Sequence, residues 1–136
     1  MTLEDERVGC RRLKVKAETA KLAEVRDFVG QVATEAALHP ERVFDLKVAT
    51  SEAFANAVEH ACSSAEELEV CTRVSPRLFM VEITDSGCFR PPTLPRQPDH
   101  PRGLGLPLMV ALMDEVSFTR APSGGTTVRL AVLLGT

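Results

Sequence analysis

Tryptophan and tyrosine are absent from this 136-residue chain, and six phenylalanines are its only aromatics. Stacking of nucleobases needs exposed aromatic rings, so a single-strand nucleic-acid platform is not expected. A basic excess is lacking too: 16 Lys and Arg stand against 19 Asp and Glu, for a net charge of −3. Binding to duplex nucleic acid draws on clustered basic side chains that neutralise phosphates, and this balance does not supply them. Long apolar runs are also missing. The longest, such as Leu130 to Leu134, are strand-sized, far short of the roughly 20 residues of a membrane span. The first nine residues hold Glu4, Asp5 and Glu6 and no apolar stretch, so no secretory leader is expected. Cys10, Cys62, Cys71 and Cys88 form neither a CxxC pair nor a zinc-ligand spacing. Without a leader they are expected to be reduced, mostly buried thiols of a cytoplasmic protein.

With 44% hydrophobic and 26% charged residues, the chain has a globular composition. Its length suits a single domain over 1–136, with an ordered core expected over about 10–134. From Cys10 to Ala17, apolar Leu13 and Val15 alternate with Arg12, Lys14 and Lys16, as in a half-exposed strand. After Thr19, an expected N-cap, Leu22, Val25, Phe28, Val29, Val32, Ala33 and Ala36 recur at helical spacing. His39-Pro40 ends that helix, and a second is expected from Pro40 to about Cys62. Leu68–Val74 and Leu78–Thr84 read as strands joined through Ser75-Pro76-Arg77. Asp85 to Gly103 holds five of the nine prolines and is expected to be a functional loop or a disordered segment. A short helix over Leu106–Asp114 and strands over Val116–Arg120 and Thr126–Leu133 complete the chain. Adjacent strand pairs predict a mainly antiparallel, mixed sheet with helices on one face, a two-layer α/β sandwich. The strict strand–helix alternation of a doubly wound nucleotide fold is missing.

Four short segments could carry chemistry. On the second helix, Phe44, Val48, Ala55 and Val58 make the expected apolar stripe. Glu52, Asn56 and His60 follow at i, i+4 and i+8 and share a different face. A carboxylate and a carboxamide one turn apart suit a hard cation such as magnesium. The carboxylate also suits proton abstraction from a hydroxyl, and a solvated polar stripe has the same spacing. Asp85-Ser86-Gly87 follows a strand. It is either a turn or a carboxylate that accepts from an exocyclic amino group such as that of adenine, with Gly87 admitting the ring. Arg102-Gly103-Leu104-Gly105-Leu106-Pro107 runs into a helix start, as a hinge does, or a phosphate site built on free N–H groups and the helix dipole. A P-loop is excluded because no lysine follows Lys47, and the dinucleotide fingerprint because Leu108 stands where its third glycine falls. Gly124-Gly125-Thr126-Thr127 reads as a hairpin turn feeding a strand.

In this order the four segments resemble the Bergerat-fold ATPases, the superfamily of gyrase, Hsp90, histidine kinases and MutL. Glu52 to Ala61 is similar to its N box, Asp85 to Gly87 to its first glycine box, Arg102 to Leu106 to its second, and Gly124 to Thr127 to its last. Within the superfamily the chain is most similar to bacterial anti-sigma factor serine/threonine kinases, over about Leu13 to Leu134. The resemblance implies ATP and Mg2+ as cofactors, with Glu52 as general base and Asn56 as magnesium ligand. It implies that Asp85 reads the adenine amino group, with Gly87 beneath the ring and Thr126 or Thr127 assisting. Gly103, Leu104, Gly105 and Leu106 would meet the phosphates, Arg102 the outermost one, and about 89–102 would form a lid. The implied partners are a sigma factor and an anti-anti-sigma phosphoacceptor, in a bacterial stress or sporulation circuit, with no direct nucleic-acid or membrane contact. A homodimer is implied on the same basis. The chain departs from the superfamily at Phe89, where a DxGxG box has its last glycine. Phenylalanine resists positive φ, so a stiffer loop is expected. A protein kinase and a non-catalytic, ATP-gated protein-binding switch both fit these residues.

Overall fold

The computed structural model describes residues 10–61, 63–85, 105–120 and 124–134. Five strands form one sheet: β1 (Cys10–Lys16), β2 (Glu67–Val74), β3 (Leu78–Thr84), β4 (Glu115–Arg120) and β5 (Thr126–Leu133). Their order is β1-β2-β3-β5-β4. The helices are α1 (Leu22–Glu35), α2 (Pro40–His60) and α3 (Gly105–Leu112), with a 3-10 turn at Thr19–Lys21. All four ladders among the described residues are antiparallel. Because β5 lies between β3 and β4, those two strands run parallel to each other, and α3 lies on the connection between them. This is the α/β sandwich expected from the pattern of elements.

The pleat sorts side chains onto two unlike faces. On one, Leu68 and Val70 of β2, Phe79, Val81 and Ile83 of β3, and Val128, Leu130 and Val132 of β5 are buried. They share a single core with Val25 and Val29 of α1, Leu46, Ala53 and Phe54 of α2, and Met109 of α3. Burying each large apolar side chain contributes roughly 1.5–3 kcal/mol, which is what holds the helical layer on this face. The opposite face carries charge. Arg129 Nε and Nη2 donate to Glu82 Oε2 at 2.8 and 2.6 Å. Arg73 Nε lies 3.7 Å from Glu82 Oε1, and Arg12 Nε 3.6 Å from Glu69 Oε2. Edge strand β1 is guarded by Arg11, Arg12, Lys14 and Lys16, charges that oppose pairing with another chain.

Three local expectations are corrected. Thr19 does not cap the first helix. It opens the 3-10 turn behind Glu18, and no side chain caps that turn or α1. The second helix stops at His60, because Ala61 is already extended at φ −68 and ψ 150. Its start is capped by His39, whose Nδ1 accepts from the Glu41 N–H at 3.2 Å, with Pro40 in the first turn. Phe44, Val48, Ala55 and Val58 are not the inward stripe of α2. Phe44 is 67% exposed and Ala55 is exposed. The buried face is instead Leu46, Ala49, Thr50, Ala53 and Phe54. At about 100° per residue the two sets lie nearly opposite. The helix packs on α1, on α3 and on the sheet, so apolar residues nearly encircle it and hydropathy alone does not single out the inward side. The expected lid over about 89–102 lies outside the described residues. Among those described, no helix is long and apolar enough to cross a membrane.

The end of α1 bears on stability. Ala37 has φ 67, in the left-handed region. The Leu38 N–H donates to the Ala33 carbonyl at 3.1 Å and the Ala37 N–H to the Thr34 carbonyl at 2.9 Å. These two bonds are those of a Schellman motif, whose left-handed position glycine usually fills. An L side chain there costs roughly 1–2 kcal/mol, while glycine adds about 0.4–1 kcal/mol of unfolded-state entropy. Ala37→Gly is therefore expected to stabilise the fold by about 0.5–1 kcal/mol, read as a higher urea midpoint at unchanged m-value. A lower midpoint would contradict this account.

Candidate functional site

The β3–β5 ladder sets Thr84 opposite Thr127. The next pair beyond it is Asp85 and Thr126. The Asp85 N–H donates to the Thr126 carbonyl at 3.2 Å, and the Thr126 N–H donates to Asp85 Oδ1 at 3.0 Å. The carboxylate is thus anchored at a strand end by a backbone donor from a segment 41 residues away. Asp85 has the parity of buried Phe79, Val81 and Ile83, and Thr126 that of buried Val128, Leu130 and Val132. Both therefore belong to the helix-covered face. Thr127 has the other parity. Its hydroxyl hydrogen-bonds that of Thr84 at 2.9 Å on the opposite face. Gly124, just before this segment, has φ 103, a value that favours glycine.

On α2, Arg42, Asp45, Ala49, Glu52 and Asn56 follow at alternating steps of three and four residues. That spacing makes one row along a helix. The row begins at a clamp. Arg42 Nη1 donates to the Leu112 carbonyl at 3.2 Å and to Asp45 Oδ2 at 3.2 Å. Arg42 Nη2 donates to Asp114 Oδ2 at 2.9 Å. The same Asp114 oxygen accepts the Leu133 N–H at 2.6 Å, while the Asp114 N–H donates to the Ala131 carbonyl at 3.0 Å. The first turn of α2 is therefore tied to the last turn of α3 and to β5.

The two helices also pack extensively on each other, with Met109 of α3 fully buried. The start of α2 and the end of α3 are thus joined. Further along α2, the row continues into Glu52 and Asn56. Both of those side chains are half-buried, on the shoulder between core and solvent.

Of the sequence-predicted site residues, Glu52, Asn56, Asp85, Thr126 and Thr127 and the backbone of Gly105 and Leu106 are among those described. Gly87, Arg102, Gly103 and Leu104 lie outside them. Asp85 and Thr126 are brought into direct contact. Glu52 and Asn56 share one row along α2 with Arg42 and Ala49, and Thr127 lies on the other face of the sheet. His60 ends α2 and is exposed. Sequence reasoning missed the Arg42–Asp114 clamp. Arg42 and Asp45 are legible as an i,i+3 pair on a helix, but nothing local points to a partner 72 residues away. It also missed Thr84, whose hydroxyl partner is set by strand register. Among the described residues no three His, Cys, Asp or Glu side chains form a metal cage.

Residues 15–132 match the family model of the histidine kinase-like ATPase domain. The chain is similar to the serine-protein kinase RsbW of Bacillus pumilus, at 33% identity over 96% of this chain and 89% of that protein. It is 32% identical to RsbW of Bacillus velezensis, over 90% of this chain and 84% of that protein. It is 31% identical to the anti-sigma F factor of Pasteuria penetrans, over 66% of this chain and 67% of that protein. The crystal structure of the RsbU and RsbW domains of a Mycobacterium tuberculosis protein resembles it with TM-score 0.62 and 21% identity, over 90% of this chain. The chain spans about a third, 32%, of that solved chain, and the likeness is one of fold.

Arg42 and Asp114 are about one-third exposed, at 32% and 35%, so their ion pair has a modest worth. Arg42→Met, which keeps the aliphatic stem, is expected to cost about 1 kcal/mol in urea unfolding. A double-mutant cycle with Asp114→Asn is expected to give a coupling of about 0.5–1 kcal/mol. Strict additivity would show that the clamp does not join the two helices energetically.

Proposed function

The chain belongs to the histidine kinase-like ATPase domain family, and from that premise we propose that it is an anti-sigma factor serine/threonine kinase. In this reading it binds Mg-ATP, phosphorylates an anti-anti-sigma partner on a serine or threonine hydroxyl, and sequesters a sigma factor. The names of the similar Bacillus and Pasteuria proteins support the class. The observation that carries the reading is the Asp85–Thr126 pair on the helix-covered face of the sheet. The packing of α2, which carries Glu52 and Asn56, against the glycine-led helix α3 supports it.

Each residue then has one task. Asp85 accepts a hydrogen bond from the adenine amino group, held for it by the Thr126 N–H. Of the two threonines, Thr126 is the one on the adenine side. Gly87 lets the ring approach the backbone. The N–H groups of Gly103, Leu104, Gly105 and Leu106 meet the phosphates, as the start of a helix does for anions, and Arg102 meets the outermost phosphate. Asn56 offers its side-chain oxygen to magnesium. A magnesium ion that arrives with phosphates keeps several waters and needs only one or two protein oxygens. When bound, magnesium neutralises charge on the transferring phosphoryl group. Glu52 accepts the proton of the incoming hydroxyl. A protein partner supplies that hydroxyl, in the bacterial cytoplasm, to a kinase that works as a homodimer.

Two outcomes test this. Asp85→Asn retains an acceptor for the Thr126 N–H but loses the charge. It is expected to weaken binding of a fluorescent ATP analogue by about 10- to 100-fold, the worth of one charged hydrogen bond. With no tryptophan or tyrosine in the chain, such a probe reads against a dark background. Unchanged affinity would remove Asp85 from the adenine site. Glu52→Gln is expected to leave that affinity unchanged while slowing phosphate transfer from labelled ATP to an anti-anti-sigma partner by about 10²- to 10⁴-fold. Partner binding that depends on ATP with no phosphopartner formed would mark a nucleotide-gated switch instead.

A further inference from the structure

Cys10 and Cys71 lie on the face of the sheet that the helices leave uncovered. Cys10 has the parity of Arg12, Lys14 and Lys16 on β1. Cys71 has that of Glu69 and Arg73 on β2, opposite the core-facing Val70 and Thr72. In the ladder Cys10 pairs with Arg73 and Arg12 with Cys71, so the two cysteines are diagonal neighbours. Their Sγ atoms are 3.5 Å apart. Both thiols are free, Cys10 half-exposed and Cys71 buried. Neither has a part in the nucleotide site.

We propose that Cys10 and Cys71 form a peroxide-responsive dithiol, oxidised reversibly to a disulfide that ties edge strand β1 to β2. The two cysteines divide the chemistry by exposure. Cys10 is the sulfur that an oxidant reaches. Cys71 is buried and therefore acts second. Burial, and then its contact with Cys10, push its thiol up, while a hydrogen bond from Arg12 pulls the other way. In the first step the Cys10 sulfur attacks hydrogen peroxide. An S–O bond forms, the O–O bond breaks, and the departing oxygen leaves as water with the thiol proton. In the second, the Cys71 sulfur attacks the Cys10 sulfenic acid. An S–S bond forms, the S–O bond breaks, and a second water leaves with the Cys71 proton. Two thiols and one peroxide give one disulfide and two waters. The sulfurs lose two electrons and the peroxide oxygens gain them.

Closing the bond asks for movement at the sheet edge. The sulfurs close from 3.5 Å to a bond of about 2.05 Å. Diagonal cross-strand Cα atoms stand about 7–8 Å apart, beyond the roughly 4.4–6.8 Å that disulfides usually span, so the backbone has to shift to close the bond. The adjustment falls on Cys10, the first residue of β1, on the sheet edge. In the register Arg73 stands opposite Cys10 and Arg12 opposite Cys71, and both guanidiniums pull the Cys71 thiol down against burial. The closed loop, with its ends 61 residues apart, encloses α1 and α2. Closing it removes chain entropy from the unfolded state.

Treating the reduced full chain with hydrogen peroxide tests this. The intact mass is expected to fall by about 2 Da, with full reversal by dithiothreitol. Non-reducing peptide mapping is expected to join Cys10 to Cys71, and the thermal midpoint to rise by about 10 °C. Cys10→Ser is expected to lose all three responses. Gains of about 32 or 48 Da on Cys10 with no crosslink, marking sulfinic or sulfonic acid, would overturn the proposal. So would a disulfide that maps only to Cys62 or Cys88. Because the mapping uses the unaltered chain, the result does not depend on how the variant folds.

Discussion

The ladder between β3 and β5 joins segments more than forty residues apart, and the remaining architecture is arranged around it. Its register is held by the core. Phe79, Val81 and Ile83 on one strand and Val128, Leu130 and Val132 on the other all face the helices and are all buried. A slip of one residue would turn one of these sets to water, at a cost of several kcal/mol. The same register decides that Asp85 and Thr126 meet on the helix side. Hydrophobic packing several residues away therefore fixes the orientation of a polar pair at the strand ends.

The long helix α2 adds the second constraint. Its inward face is built largely from small residues, with Ala49 and Ala53 fully buried beside Leu46 and Phe54. Small side chains let the sheet and neighbouring helices approach closely. Glu52 and Asn56 sit one step round from this face and are half-buried. Arg42 and Asp114 hold the far end of the seam. A guanidinium suits that position because its fork reaches a helix-end carbonyl and two carboxylates at once. The last turn of α3 gains a partner for its otherwise open carbonyl.

The two faces of the sheet divide the molecule's chemistry. The helix side supplies the core and the proposed nucleotide site. The open side is laced by Arg12–Glu69 and by Arg73 and Arg129 around Glu82. Charge on both sides of Glu82 keeps its largely covered carboxylate compensated. Set into this polar face, the Cys10–Cys71 pair is chemically separate from the helix side.

Much of this was legible from residue order alone. Alternation over Leu13 and Val15, helical spacing from Leu22 to Ala33, and the strands about Ser75-Pro76-Arg77 all follow from local periodicity, which side-chain direction imposes on any chain. The pairing of Glu52 with Asn56 on one helix face is of the same kind. So are the glycines leading into α3, and from them came the family. Which side of α2 faces inward was not legible, because apolar residues nearly encircle a helix covered on several sides, and Phe44 is left exposed. Nor was the division between Thr126 and Thr127, or the reach of Arg42 to Asp114 and of Cys10 to Cys71. Those depend on strand register and helix seam, set by the packing of the whole core. Periodicity acts over a few residues and can be read from a line of letters. Contacts across 40 to 70 residues exist only once the chain has closed on itself.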